Sequence, residues 1–174
     1  MKIKILLLSV IFIFSCLQNC NAQNVTYHHD PDADKFVGTW KWGDTANGLT
    51  LIMKKENGVS LLKSGNYIDD TIIGFHKIYK NGQITEDKTI YSTTNFIDGK
   101  KSFVAGTENN DPNLLVVFMS HKNKNIIMKI LYIDPTHIKI VEVKNQEGAR
   151  FIKPGQTPTD WSIDIPNNIV LTKQ

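Results

Sequence analysis

Turn signals at short, regular intervals constrain this chain more than any other feature. Asn57-Gly58, Asn81-Gly82, Asp98-Gly99 and Asp134-Pro135-Thr136 divide it into brief apolar runs. Asn-Gly tolerates positive φ at both central positions of a two-residue turn, so it joins adjacent antiparallel strands. Between turns the side chains alternate, as where Leu49, Leu51 and Met53 oppose Thr50, Ile52 and Lys54. That period of two marks a half-buried strand. No stretch sustains a capped 3.6-residue period, beyond one helical turn expected over 31–36 with Asp30 or Asp32 as its cap. The expected fold is all-β: a single antiparallel up-and-down β-barrel of about 8–10 strands. Strands are expected over 39–42, 48–55, 59–64, 67–79, 89–96, 102–105, 114–120, 126–133, 137–144, 161–165 and 169–172. A barrel removes exposed sheet edges, so 169–172 is expected to pair with 39–42.

The N-terminus reads as an export signal. Lys2 and Lys4 precede an apolar run over residues 5–14, and Cys20-Asn21-Ala22 offers small residues at a cleavage site before Gln23. The run is shorter than the roughly 20 residues of a membrane span. Residues 1–22 are therefore expected to leave as a signal peptide, residues 23–35 to form a flexible lead-in, and 36–174 to form the barrel. The alternative is lipidation at Cys16 or Cys20, each in a degenerate lipobox, which would place the protein on a membrane. Both cysteines lie in the leader, so cleavage after Ala22 leaves no disulfide. Core burial must then hold the fold, and a chain near 150 residues buries roughly 70% of its unfolded surface.

The formal charge of +3 includes Lys2 and Lys4, so the mature chain carries +1. Lysines are scattered and Arg150 is the single arginine, which argues against a nucleic-acid partner. The expected state is a monomer without a cofactor.

No nucleophile elbow, Walker loop, zinc-protease helix or dinucleotide turn is present, so no enzymatic activity is expected. His28, His29, Asp30, Asp32 and Asp34 have metal-ligand chemistry, but Lys35 occupies the position where a calcium loop needs Gly. A solvated segment is the expectation there, and no metal site is assigned. Asp69 and Asp70 are adjacent on an extended run, point to opposite faces and do not form a catalytic pair. His76 lies mid-strand and could be buried, whereas His121 and His137 lie at strand ends and are expected in solvent.

Phe36-Val37-Gly38-Thr39-Trp40 is similar to the opening motif of the lipocalin and wider calycin barrels. Together with the ending Pro166-Asn167-Asn168-Ile169-Val170-Leu171-Thr172-Lys173, it resembles secreted lipocalin-like families of flavobacterial type, domains of unknown function. The resemblance implies a barrel and an exported protein. It also implies that Phe36, Gly38 and Trp40 form a structural motif near the barrel base, with Arg150 the arginine available to pack on the Trp. The chain departs from lipocalins in ending on a strand rather than on a helix.

Two functions follow as expectations. In the first, the barrel encloses a small apolar ligand, with Trp42, Leu51, Met53, Phe118 and Glu142 as candidate binding residues. Trp40, Leu49, Leu114 and Val116 would also face inward. Glu142 faces inward unless a bulge near Ile140 shifts the phase. Trp42 is expected nearer the middle of the barrel than Trp40, whose ring Arg150 or a lysine would cover. In the second, the core is filled, and the protein is a structural or interaction component of the cell envelope with no ligand.

Overall fold

The computed structural model describes residues 25–61, 65–146, 155 and 160–174. The leader with Cys16 and Cys20, and Arg150, lie outside the described residues. The described strands are β1 Thr26–His28, β2 Gly38–Gly43, β3 Gly48–Val59, β4 Tyr67–Lys80 and β5 Gln83–Asp87, followed by β6 Phe103–Glu108, β7 Asp111–His121, β8 Lys124–Asp134, β9 His137–Asn145 and β10 Ile169–Lys173. Eight of them close an antiparallel barrel in the order β4-β3-β2-β10-β9-β8-β7-β6, with β6 returning to β4. β10 pairs with β2, Thr172 opposite Lys41 and Lys173 opposite Trp40, as edge closure requires.

β4 is the organising strand. One edge takes β3 along almost its full length. The other takes β1 in parallel at 67–69, β6 at 72–74 and β5 at 77–80. Asn81 and Gly82, at φ of 52° and 76°, make the expected two-residue turn into β5. A second turn of this kind, Lys122-Asn123 at 48° and 58°, joins β7 to β8 where a longer polar loop is expected.

Other expected elements differ. Asn57-Gly58 makes no hairpin: β4 is long enough to keep pairing past it, and a bulge between Glu56 and Val59 absorbs the turn residues within β3. Residues 89–96 form a short 3-10 turn, Thr89–Tyr91, and an irregular arm instead of a strand. Lys54 donates to the carbonyls of Ser92 and Thr94 at 3.2 and 2.8 Å, and the Glu56 carboxylate accepts from the Phe96 N–H at 3.0 Å. The arm thereby lies over the outer face of β3 and β4, where Ile73 and Phe75 are fully buried. Residues 161–165 form no strand.

The described part of the lead-in, expected without regular structure, carries a short strand and a helical turn. β1 pairs with β4, and Asp30 caps a 3-10 helix, Pro31–Phe36, by accepting from the Ala33 N–H at 3.1 Å. The second Asp30 oxygen accepts from the Thr107 N–H and hydroxyl at 3.1 and 2.8 Å. The two histidines and three aspartates of this segment each take a different protein partner: His28 pairs with Asp69, His29 with Asp70, Asp32 with Lys35 and Asp34 with Lys55, while Asp30 serves the cap.

The barrel interior is filled. Leu51, Met53, Ile72, Leu115 and Met128 are at most 1% exposed. At the base, Trp40 is fully buried and donates its indole N–H to the Phe36 carbonyl at 2.8 Å. The Lys173 ammonium lies 5.0 Å from the Trp40 ring centroid, so a lysine fills the cation position. Gly38 (φ 140°) makes this possible, since a Cβ there would stand 2.6 Å from Lys173 Cε. A Trp40→Ala variant is expected to lose roughly 3–5 kcal/mol of stability. Removal of the cation alone, as Lys173→Met, is expected to cost less than about 1 kcal/mol. Paired denaturant titrations measure both.

Candidate functional site

The inward face of the barrel changes chemistry toward the end opposite Trp40. His76 lies opposite Leu51 and shares its inward face. On β7 the inward row Leu115, Val117 and Met119 ends in His121; on β8 the row Ile130, Met128 and Ile126 ends in Lys124. His76, His121 and Lys124 are buried, at 1%, 0% and 1% exposure. The burial of His121 overturns its expected solvent position. It faces inward because the tight Lys122-Asn123 turn carries β7 one residue further than the sequence suggests.

Glu86 of β5 binds this layer together. Its carboxylate accepts from His76 Nε2 at 2.9 Å, His121 Nδ1 at 2.6 Å and the Lys122 N–H at 2.9 Å. Burial alone would raise its pKa. The hydrogen bonds from His121, His76 and Lys122 outweigh burial and hold the carboxyl well below the usual range. His121 Nε2 accepts from the Asp164 N–H at 3.2 Å, which places the His121 proton on Nδ1. His76 Nδ1 is buried and has no hydrogen-bond partner in the structure.

Residues 160–166 cross the barrel mouth above this layer. Lys124 donates to the Asp160 carbonyl at 2.7 Å and to the Ser162 carbonyl. Burial lowers its pKa, outweighing the nearby Asp160, Asp164 and Glu86 carboxylates. Asn145 donates to the Trp161 carbonyl at 3.0 Å. Lys122 and Lys80 hold the Asp164 carboxylate at 2.7 and 2.5 Å. Ile165 belongs to the core, and Ile163 packs against it.

A depression of about 380 Å³ opens between the strap 160–166 and the rim, lined by Trp42, Leu49, Ile78, Tyr79, Ile163 and Ile165. A second, of about 530 Å³, lies on the outer face beside it and shares Trp42, Leu49 and Tyr79. A third, of about 300 Å³, lies on the outer face at Val104, Phe118 and Ser120. None of the three is lined by Leu51, Met53, Ile72, Leu115 or Met128.

The candidate ligand residues therefore separate. Trp42 is half-buried and stands at the rim, because β2 ends one residue later, not near the barrel middle. Leu51 and Met53 face inward but are consumed by packing. Phe118 points outward and is 48% exposed. Leu114 and Val116 share its phase, and the true inward residues are Leu115, Val117 and Met119. Residues 114–119 are apolar on both faces, so alternation carries no phase there. Glu142 faces out, paired with Lys144 at 3.2 Å. The bulge accounts for it: Lys129 pairs with Glu142 and Ile130 with Ile140, leaving Val141 as the extra residue.

At the base, Asp70 is a second multiply bonded carboxylate, and it is buried. It accepts from the Tyr27 hydroxyl and His29 Nδ1, each at 2.5 Å, and from the Asp30 and Gly58 N–H groups at 3.3 Å. These outweigh burial and lower its pKa. All its oxygens serve to dock the lead-in, so its role is structural. Among the described residues no group of three or more His, Cys, Asp or Glu side chains is arranged to hold a metal.

Fold and site together define a small closed antiparallel barrel with a packed apolar interior, a carboxylate staple at each end and a half-open aromatic rim. The chain belongs to a family of unknown function, DUF6705, whose model matches residues 1–174. Comparison with curated proteins and with solved structures gives no match.

A Glu86→Gln variant is expected to lose roughly 1–3 kcal/mol at pH 7, since three donors then face a neutral acceptor. The folded pKa of Glu86 is depressed, so its contribution is complete above the ordinary Glu value of about 4.3 and is lost as pH falls below it. The gap between wild type and variant should close on acidification. Denaturation at pH 7, 5 and 3.5 checks it, and a gap that widens on acidification contradicts the assignment.

Proposed function

We propose that this protein is an exported, non-enzymatic β-barrel that acts as a binding module through its mouth and rim, not by enclosing a ligand. The observation that carries the reading is the filled interior: the side chains at the barrel centre are at most 1% exposed. An eight-stranded barrel has just enough interior for side chains to fill it. The leader supports export, and the mature chain operates outside the cytoplasm.

Trp42 is the contact residue in this reading. It shares a face with Trp40 and remains half-buried beside the depression of about 380 Å³, a volume within the usual range of small-molecule clefts, roughly 300–1,000 Å³. The same position favours a second reading, in which a small apolar molecule rests against Trp42 at the rim. Trp and Tyr offer large, rigid contact area with few torsions to immobilise, which suits them to an interface.

An apolar fluorescent probe separates rim from interior. Trp42→Ala is expected to weaken probe binding at least threefold and to cost less stability than Trp40→Ala. Met128→Ala is expected to lose roughly 2–5 kcal/mol and to create an interior void that takes up probe the wild type excludes. Stoichiometric probe uptake by the wild type that ignores Trp42→Ala would overturn the proposal in favour of an interior site.

A further inference from the structure

The strap 160–166 is held as a bound peptide is held. Its main chain is read by side chains of the barrel at four of its residues, 160, 161, 162 and 164. Lys124 donates to the carbonyls of Asp160 and Ser162, Asn145 donates to the carbonyl of Trp161, and His121 Nε2 accepts from the Asp164 N–H. Its side chains are read in alternation. Ile163 and Ile165 enter the apolar mouth, while the Asp164 carboxylate between them lies on Lys80 and Lys122 at 2.5 and 2.7 Å. Lys122 also reaches the Ser162 hydroxyl at 3.0 Å. Main-chain contacts that supply affinity and alternate side-chain pockets that supply specificity are the marks of extended-peptide recognition.

The layer beneath the strap carries more donors than its own acceptors satisfy. Among the described residues Glu86 is the carboxylate of this layer, and three donors already use that group. Lys124 is the surplus donor: it is buried, and its hydrogen-bond partners among the described residues are carbonyls of the strap. A buried ammonium without a carboxylate is costly unless hydrogen-bonded, so this layer requires main-chain oxygens from something laid across the mouth.

We propose that the barrel mouth is a peptide-binding cleft occupied in cis by residues 160–166, and that its partner in trans is an extended segment of another protein with an aliphatic-acidic-aliphatic pattern. The partner segment replaces the strap, donating its carbonyls to Lys124 and its N–H to His121, and setting its acidic residue on Lys80 and Lys122. It is a foreign segment and not the strap of a second copy. Only residues 167–168 separate the strap from β10, and β10 closes the barrel between β2 and β9, so the strap cannot reach another molecule without opening the fold. This inference rests on the reading of the mouth as the binding face and names its partner.

The test uses a fluorescein-labelled peptide of residues 160–166 and a triple variant, I163G/D164G/I165G, that empties the cleft. Asp164→Ala serves as the milder variant should the triple change unfold the barrel. In fluorescence anisotropy the emptied variant is expected to bind the peptide in the micromolar range, at least tenfold tighter than wild type. A peptide with Asp164→Lys is expected to bind at least tenfold more weakly. Folded variants that bind the native peptide no better than a scrambled one overturn the peptide cleft. If the apolar probe still responds to Trp42→Ala in that case, the rim survives as the binding face; if both measurements fail, both readings fall. Dimerisation of the wild type by exchange of residues 160–166 would overturn the foreign partner.

Discussion

The pairing of β10 with β2 is the interaction on which the rest of this structure depends. Without it the sheet has two free edges, at β2 and at β10, and Trp40 loses the Lys173 side chain that covers it. With it, the curved sheet closes and every inward residue faces another inward residue. Closure with eight strands also sets the interior volume, and Leu, Ile, Met and Val side chains fill that volume. A packed barrel leaves function to its ends and outer surface.

Two carboxylates, Asp70 buried and Glu86 partly buried, finish those ends by the same device. Asp70 at the base gathers Tyr27, His29 and the Asp30 N–H, and so fastens the lead-in to the barrel wall. Glu86 at the mouth gathers His76, His121 and the Lys122 N–H. It bridges β5 to the β7–β8 turn, where side chains supply the join between neighbouring strands. Each carboxylate has a lowered pKa and is multiply hydrogen-bonded, the condition under which an acid removed from water is tolerated. Asp70 lies on β4 and Glu86 on β5, which pairs with the same edge of β4 that takes β1 and β6, so the length of β4 is what allows three partners to be placed in succession.

The filled interior changes the meaning of the aromatic pair. Trp40 and Trp42 sit two residues apart on one face and differ in role because the strand ends just after the second. Trp40 is sealed by Phe36 and Lys173, whereas Trp42 meets the strap and the rim and keeps part of its surface open. A β-strand places these rings about 7 Å apart along the barrel wall, far enough to separate a base residue from a mouth residue.

Much of this was legible in the sequence, because it depends on local chemistry. Asn81-Gly82 makes a hairpin through its tolerance of positive φ, Asp30 caps a turn because its carboxylate reaches the Ala33 N–H, and alternation in 48–55 marks the inward row of β3. The closed all-β architecture and the pairing of first with last strand follow from such signals plus the need to cover sheet edges. The phase of β7 did not, because residues 114–119 are apolar on both faces and only their register against β6 and β8 selects Leu115 over Phe118. Nor did the outward turn of Glu142, which depends on a bulge at Val141 that exists only through pairing with β8. The site at the mouth was least visible of all: Glu86, His121 and Asp164 are dozens of residues apart, carry no motif and become a unit only when closure brings β5, the β7–β8 turn and the strap together. Local sequence determines which segments extend and turn; tertiary closure alone decides which charges are buried together, since burial is a property of the whole surface and not of any one segment.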